Sequence, residues 1–309
     1  MHKQELSIVC PLYNEQANID LFLGRLTNVL VGVDMSFEII CVNDGSTDKT
    51  LEMLIDAKAG LPQLRIINLS RNFGKEAALT AGLDYATGEV IIPIDADLQD
   101  PPELIPKLLE EWEKGFDVVL ARRVDRSTDA LLKKITAGLF YKIHNKISDT
   151  KIPQNCGDFR LMTMRVADAV KQLPENQRFM KGVFAWVGFR VSSVEYSRES
   201  RAAGSSNFGF WKLWNFALEG ITSFSTAPLR IWFYIGFIVA ALSFAYGGFI
   251  ITRTLIYGID VPGYASLLTS ILFLGGIQLI SIGILGEYLG RVYMEVKSRP
   301  NYIVEREIS

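Results

Sequence analysis

Asp95-Ala96-Asp97-Leu98-Gln99-Asp100 follows the apolar run Val90-Ile-Ile-Pro-Ile94, and that succession is the first chemical signal in the chain. An apolar, β-branched run after Gly88 reads as a buried strand, so the carboxylates sit where the strand ends. Ligands of open α/β sheets collect at the carboxyl ends of strands. Alternation along an extended segment turns Asp95, Asp97 and Gln99 to one side. Three hard oxygen donors suit Mg²⁺ or Mn²⁺ held partly by a substrate's phosphates. A solvated acidic turn is the competing reading of the same spacing.

Two further strand candidates end in polar groups, Pro11-Leu-Tyr-Asn-Glu15 and Val42-Asn-Asp-Gly-Ser46. Asp44 could accept a hydrogen bond from a base N–H, Tyr13 could flank the base, and Gly45 permits close backbone approach. The stretch from Asn43 to Asp48 also reads as a turn with a helix cap. Cations gather at Arg122, Arg123, Arg126, Lys133 and Lys134, where they could meet an acceptor phosphate or simply be solvated. Asp158, within Asn155-Cys-Gly-Asp-Phe-Arg-Leu-Met162, could orient an acceptor or act as a base; a salt bridge with Arg160 or Arg165 is the alternative.

These residues need a scaffold. Strand candidates at Leu6–Cys10, Phe37–Val42, Leu64–Asn68 and Val90–Ile94 alternate with helix candidates near Ala17–Val31, Asp48–Ala59 and Lys75–Ala86. Repeated strand–helix units predict an α/β domain, a parallel sheet with helices on both faces. A helix near Leu104–Lys114, a strand at Asp117–Ala121 and a helix near Thr128–Ser148 follow.

Farther on, Ile231–Ile251 and Tyr264–Leu285 carry no charged residue. Each reaches about 30 Å as a helix, enough to cross a hydrocarbon core. Arg253 is the only cation in the short loop between them, whereas Lys212, Arg230, Arg291, Lys297 and Arg299 flank the outer ends. The positive-inside bias puts both termini in the cytosol and the loop outside. Phe208–Phe224, with Trp211 and Trp214, suits a helix in the membrane interface, a soluble core helix being the alternative.

The net charge of −2 gives no basic field for nucleic acid. The three cysteines lie apart in apolar surroundings, as reduced core residues of a cytosolic domain do, and the two histidines are too isolated for a metal site. Met1 to Val9 lacks the pattern of a signal peptide.

Taken in order, Pro11-Leu-Tyr-Asn-Glu15, Asn43-Asp-Gly-Ser46, Asp95-Ala-Asp97, Gln99-Asp-Pro-Pro-Glu103, Gly157-Asp-Phe-Arg-Leu161, Arg198-Glu-Ser-Arg-Ala-Ala-Gly-Ser-Ser-Asn-Phe208, the paired apolar runs and the tail Gly286-Glu-Tyr-Leu-Gly-Arg291 resemble one family. It is the GT-A fold, family 2 glycosyltransferases, and within it the polyprenyl-phosphate sugar transferases. The likeness covers nearly the whole chain and is closest to bactoprenol (undecaprenyl-phosphate) glucosyltransferases, with dolichyl-phosphate mannose synthases more distant.

The resemblance implies a Rossmann-like cytosolic GT-A domain over 1–207, a juxtamembrane amphipathic helix over 208–228, a two-helix transmembrane hairpin over 229–290 and a cytosolic tail over 291–309. It implies that Pro11, Tyr13, Glu15, Val42 and Asp44 hold the nucleoside, with Ala96 beside them. Asp95, Asp97 and Gln99 would hold Mg²⁺ or Mn²⁺ and the donor diphosphate. Arg123 matches a phosphate-contacting arginine, backed by Arg122, Arg126 and Lys133. Arg201 matches an arginine that reaches the diphosphate, and Asn207 stands where the family often carries lysine. Asp97 and Asp158 are the candidate catalytic carboxylates.

The implied partners are a nucleotide sugar, a polyprenyl phosphate lipid, the bacterial inner membrane and further copies of the chain, a tetramer being one candidate. The implied reaction is inverting transfer of a hexose, glucose from UDP-glucose, to the lipid phosphate on the cytosolic leaflet, for envelope glycan modification. GDP-mannose is the alternative donor. A processive polysaccharide synthase would need more spans and a Gln-x-x-Arg-Trp motif. A non-catalytic nucleotide-binding scaffold would leave the Asp95/Asp97 pair without a purpose.

Overall fold

A computed structural model of the chain describes residues 5–124, 153, 156–173, 175, 180–197, 227–257 and 263–309. Seven strands and six shorter helices build one layered unit: β1 (Leu6–Leu12), α1 (Ile19–Val31), β2 (Phe37–Asn43), α2 (Thr50–Gly60), β3 (Leu64–Leu69), α3 (Lys75–Tyr85), β4 (Val90–Pro93), α4 (Ile105–Glu113), β5 (Val118–Arg123), β6 (Cys156–Thr163), α5 (Met164–Lys171), α6 (Met180–Trp186) and β7 (Val191–Tyr196). Two long helices, α7 (Ala227–Tyr257) and α8 (Tyr264–Val296), precede the last strand, β8 (Val304–Ile308).

The alternation of side chains along each strand sorts the core into two layers. Ile8, Cys10, Ile39, Cys41, Ile66 and Ile92 face Phe22, Leu26, Leu54 and Leu108 of α1, α2 and α4. Val9, Ile40, Val42, Ile67 and Ile91 face Ala78, Leu79, Val166 and Val183 of α3, α5 and α6. Helices therefore cover both faces, as the strand–helix repeat predicts. In α1 the buried positions Ile19, Phe22, Leu23, Leu26 and Leu30 follow the helical period. Fully burying a side chain such as Phe22 stabilises the fold by about 1.5–3 kcal/mol. All three cysteines are buried thiols.

The sheet order is β7-β5-β6-β4-β1-β2-β3-β8. The expected parallel sheet holds for β4-β1-β2-β3. Beyond it the sheet is mixed: β6 runs antiparallel to β4 and β5, and β8 antiparallel to β3. The departure comes from strands whose partners lie far away in sequence. The strand order reverses its direction of winding at β1, because β2 and β3 lie on one side and β4 on the other. That switch point opens a crevice at the carboxyl ends of β1 and β4.

The tail beyond α8 joins the sheet. Val304 pairs with Leu69, and the Ser70 N–H donates to the Ile303 carbonyl at 2.9 Å. Arg65 of β3 bonds Glu38 at 2.7 Å and Glu307 of β8 at 2.9 Å. Asn43 donates to Asn68, which donates to Glu305, each at 2.6 Å. The chain leaving α8 thus enters the sheet at the edge where β1, β2 and β3 end.

Within α8, Phe273–Val296 is the one segment among the described residues long and apolar enough to cross a membrane. Large apolar side chains such as Phe237, Leu242, Phe249, Ile271 and Leu279 are exposed on α7 and α8. The expected helices at Thr128–Ser148 and Phe208–Phe224 lie outside the described residues.

Candidate active site

Each parallel strand delivers polar residues to the crevice as it ends. Pro11, Tyr13 and Glu15 follow from β1, Asp44 from β2, and Asp95, Ala96 and Asp97 from β4. With Leu12, Asn72, Gly74, Lys75 and Ala78 they line one cavity of about 380 Å³. Tyr13 is 45 % exposed, leaving its ring face open to a ligand. The sequence motifs at three strand ends therefore meet in one place.

Asp44 is buried, and its two oxygens accept the Phe73 N–H at 2.7 Å and the Gly74 N–H at 2.9 Å. Burial pushes its carboxyl above the usual range, against those two hydrogen bonds and the Arg71 charge. A carboxylate oxygen accepts more than one bond, so room remains for a base N–H. Asp44 also braces the loop that leads into α3. Gly45 completes that brace: at φ +61° its ideal Cβ would lie 2.3 Å from the Arg71 carbonyl carbon and 2.5 Å from the Asn72 nitrogen. Gly45→Ala is expected to cost about 1–2 kcal/mol in left-handed backbone alone. The clash would displace the loop as well, so thermal unfolding should report a loss.

After β4 the chain does not stay extended. Leu98 has φ +57°, and the Gln99 N–H donates to Asp97 Oδ1 at 3.1 Å. Burial still alternates, with Ala96, Leu98 and Asp100 inside and Asp95, Asp97 and Gln99 partly exposed. The acidic turn is thus present, and Asp95 and Asp97 both line the cavity. Asp95 Oδ2 bonds the Lys75 ammonium at 2.7 Å, and the same ammonium bonds Asp158 Oδ2 at 2.8 Å. Burial raises the Asp95 carboxyl, Lys75 pulls it back, and Asp158 pushes it up again.

Asp158 therefore sits beside Asp95, both held by the Lys75 ammonium. Arg160 donates to the Gly157 carbonyl at 2.7 Å and stacks over Phe184 at 4.3 Å. Arg123 Nε donates to the Tyr196 hydroxyl at 3.0 Å, and its guanidinium lies 3.5 Å from Asp100. The Tyr196 hydroxyl donates in turn to the buried Asp100. Gly157 leaves room for that guanidinium, since a Cβ there would come within 3.1 Å of it. Arg122 is half exposed and only 4.0 Å from Glu195, on the opposite side of the strand. Val42 is fully buried under α3, so its side chain serves the core. Arg126, Lys133, Lys134, Arg201 and Asn207 lie outside the described residues.

The residues present fit a divalent cation. Asp95 and Asp97 offer hard oxygens, and Gln99 Oε1 is buried with no hydrogen-bond partner among the described residues. An orphaned polar atom of this kind costs about 1–3 kcal/mol unless something satisfies it. No group of three His, Cys, Asp or Glu gathers among the described residues. Two carboxylates without a cage suit an ion that takes its remaining ligands from a diphosphate.

Three residues of this network were given no role in the sequence reading: Lys75, Asp100 and Tyr196. Lys75 carried a usable signal, because Arg71-Asn-Phe-Gly-Lys75 follows β3 at the same carboxyl edge as the other motifs.

Residues 7–170 match the family model "Glycosyl transferase family 2", and residues 227–292 match the model "GtrB C-terminal hairpin". The chain is 57% identical to an uncharacterized glycosyltransferase of Synechocystis sp., covering 97% of this chain and 94% of that one. It is 55% identical to the SfII prophage-derived bactoprenol glucosyl transferase of Shigella flexneri, covering 98% of each. A prophage bactoprenol glucosyl transferase homolog of Escherichia coli is also 55% identical, covering 98% of this chain and 99% of that one.

Proposed function

The chain belongs to glycosyl transferase family 2, and from that we propose that it transfers glucose from UDP-glucose to a polyprenyl phosphate at the cytosolic face of a bacterial membrane. The observation that carries this reading is the meeting of Tyr13 and Asp44 with Asp95 and Asp97 in one cavity. The near full-length likeness to proteins named bactoprenol glucosyl transferases supports glucose as the sugar and a polyprenyl phosphate as the acceptor.

The chemistry asks for little proton transfer. A phosphate monoester with a second pKa near 6 is mostly dianionic at neutral pH. One of its oxygens attacks the anomeric carbon, the bond to the donor diphosphate breaks, and UDP leaves with the electron pair. A single displacement inverts the centre and gives a β-linked product from an α-linked donor. Tyr13 and Asp44 fix the nucleoside. Arg123, aimed by Asp100 and Tyr196, receives the acceptor phosphate with a charge-assisted, preorganised donor. Asp158 orients the acceptor. Asp95, Asp97 and Gln99 would hold Mg²⁺ or Mn²⁺, which supplies positive charge to the departing diphosphate.

In this reading α7 and α8 form a two-span hairpin with the catalytic domain and both termini in the cytosol. The return of the chain from α8 into β8, at the sheet's carboxyl edge, supports a site turned toward the bilayer.

Transfer with purified chain and a short-chain polyprenyl phosphate tests the proposal. Radiolabel from UDP-glucose should enter the lipid in the β configuration, and free UDP should inhibit more strongly than GDP. Stronger inhibition by GDP would move the assignment to GDP-mannose, and an α-linked product would reject the single displacement.

A further inference from the structure

Lys75 opens α3, and its ammonium sits between two carboxylates, 2.7 Å from Asp95 and 2.8 Å from Asp158. Its delivery there is built in. Asp44 grips the main chain of Phe73 and Gly74 immediately before it, and Gly45 packs against Arg71 and Asn72. Gly74, at φ +100°, turns the chain into the helix. A clamp on the nucleoside side of the cavity thus sets a cation on the diphosphate side.

Asp95 is also a proposed ligand of the divalent ion, so the ammonium and the ion compete for one carboxylate. Two cations of this strength do not share one carboxylate oxygen without mutual repulsion. A diphosphate resolves the conflict, because its own negative oxygens accept the ammonium as readily as a carboxylate does.

Resting on the family 2 reading above, we propose that Lys75 is a resident counter-ion that holds Asp95 against a bare divalent ion and releases it to the ion only when the nucleoside diphosphate arrives. Ion and donor then enter as a coupled pair, each raising the other's affinity by the same factor. The arrangement also keeps Asp158 and Asp95 together, so the acceptor-side carboxylate is in place before the donor binds.

The test is Mn²⁺ binding to the full chain in detergent, followed by the electron paramagnetic resonance signal of free Mn²⁺, with and without UDP. The wild type should bind Mn²⁺ weakly alone and much more tightly with UDP. Lys75→Met and Lys75→Gln should bind Mn²⁺ alone about tenfold more tightly, a typical size for such a coupling. Lys75→Arg, which keeps the charge, should bind bare Mn²⁺ as weakly as the wild type. Unchanged or weaker Mn²⁺ binding in both neutral variants overturns the proposal, as does a bare-Mn²⁺ affinity in Lys75→Arg equal to theirs. The two neutral variants differ in polarity, and thermal unfolding identifies whichever keeps the fold. A wild type that binds neither UDP nor Mn²⁺ with UDP would instead sink the functional reading on which the proposal stands.

Discussion

Asp97→Ala is expected to lower turnover by about 10²-fold or more while leaving the fold intact, since losing a preorganised charge at the departing group commonly costs that much. Asp97 lines the cavity and accepts the Gln99 N–H at 3.1 Å. Losing a hydrogen bond of that kind costs stability only about 0.5–1.5 kcal/mol. Asp97→Asn separates the two contributions, because it keeps an acceptor for Gln99 and removes the charge. Transfer of radiolabelled glucose and thermal unfolding should therefore diverge in both variants. Near-normal transfer by Asp97→Asn in excess Mg²⁺ would remove Asp97 from the diphosphate site.

The site was legible in part because strand ends follow a positional rule. Tyr13, Asp44, Asp95 and Asp97 each follow an apolar run whose burial on both faces makes it readable as a strand. Lys75 and Asp100 needed three dimensions: Lys75 reaches across from α3, and Asp100 meets Tyr196 across 96 positions of sequence. Strands β6, β7 and β8 were missed for different reasons. In β6 the buried Arg160 interrupts the apolar pattern, and only its stacking over Phe184 explains how it fits. In β7, Val191–Tyr196 lies at the sheet's edge with half its positions open, so its alternation is faint. In β8, Val304-Glu-Arg-Glu-Ile308 is mostly charged, and its strand form depends on β3 for partners. Charged edge strands of this kind resist unwanted pairing, which is why composition hides them. Val42, assigned to the ligand by likeness, turns its side chain into the core.

The second large effect falls on folding. Arg65→Met removes the charged partner of Glu38, which is 4 % exposed and also bonds Ser7 at 2.6 Å and Thr87 at 2.7 and 2.8 Å. Breaking a buried ion pair by deleting one member costs about 3–5 kcal/mol, or a fall in Tm of order 10 °C. The pH dependence carries the sign. Burial raises the Glu38 carboxyl, yet Ser7, Arg65 and Thr87 together bring it below its usual value. Its contribution is therefore present above the unfolded carboxylate pKa of about 4.3 and is lost as pH falls through the lower, folded value. Without Arg65 the burial penalty weighs more, so the deficit should be greatest at neutral pH and shrink as Glu38 takes up a proton. Glu307→Gln is the control, because it removes the outer partner of Arg65, which is 36 % exposed, and leaves the buried pair. That change should cost about 1 kcal/mol or less. Thermal unfolding of the three chains at pH 7 and pH 5 decides the matter: a Glu307→Gln loss as large as that of Arg65→Met, or an Arg65→Met deficit that grows on acidification, would show that docking of β8 rather than the buried charge pair holds this end of the sheet.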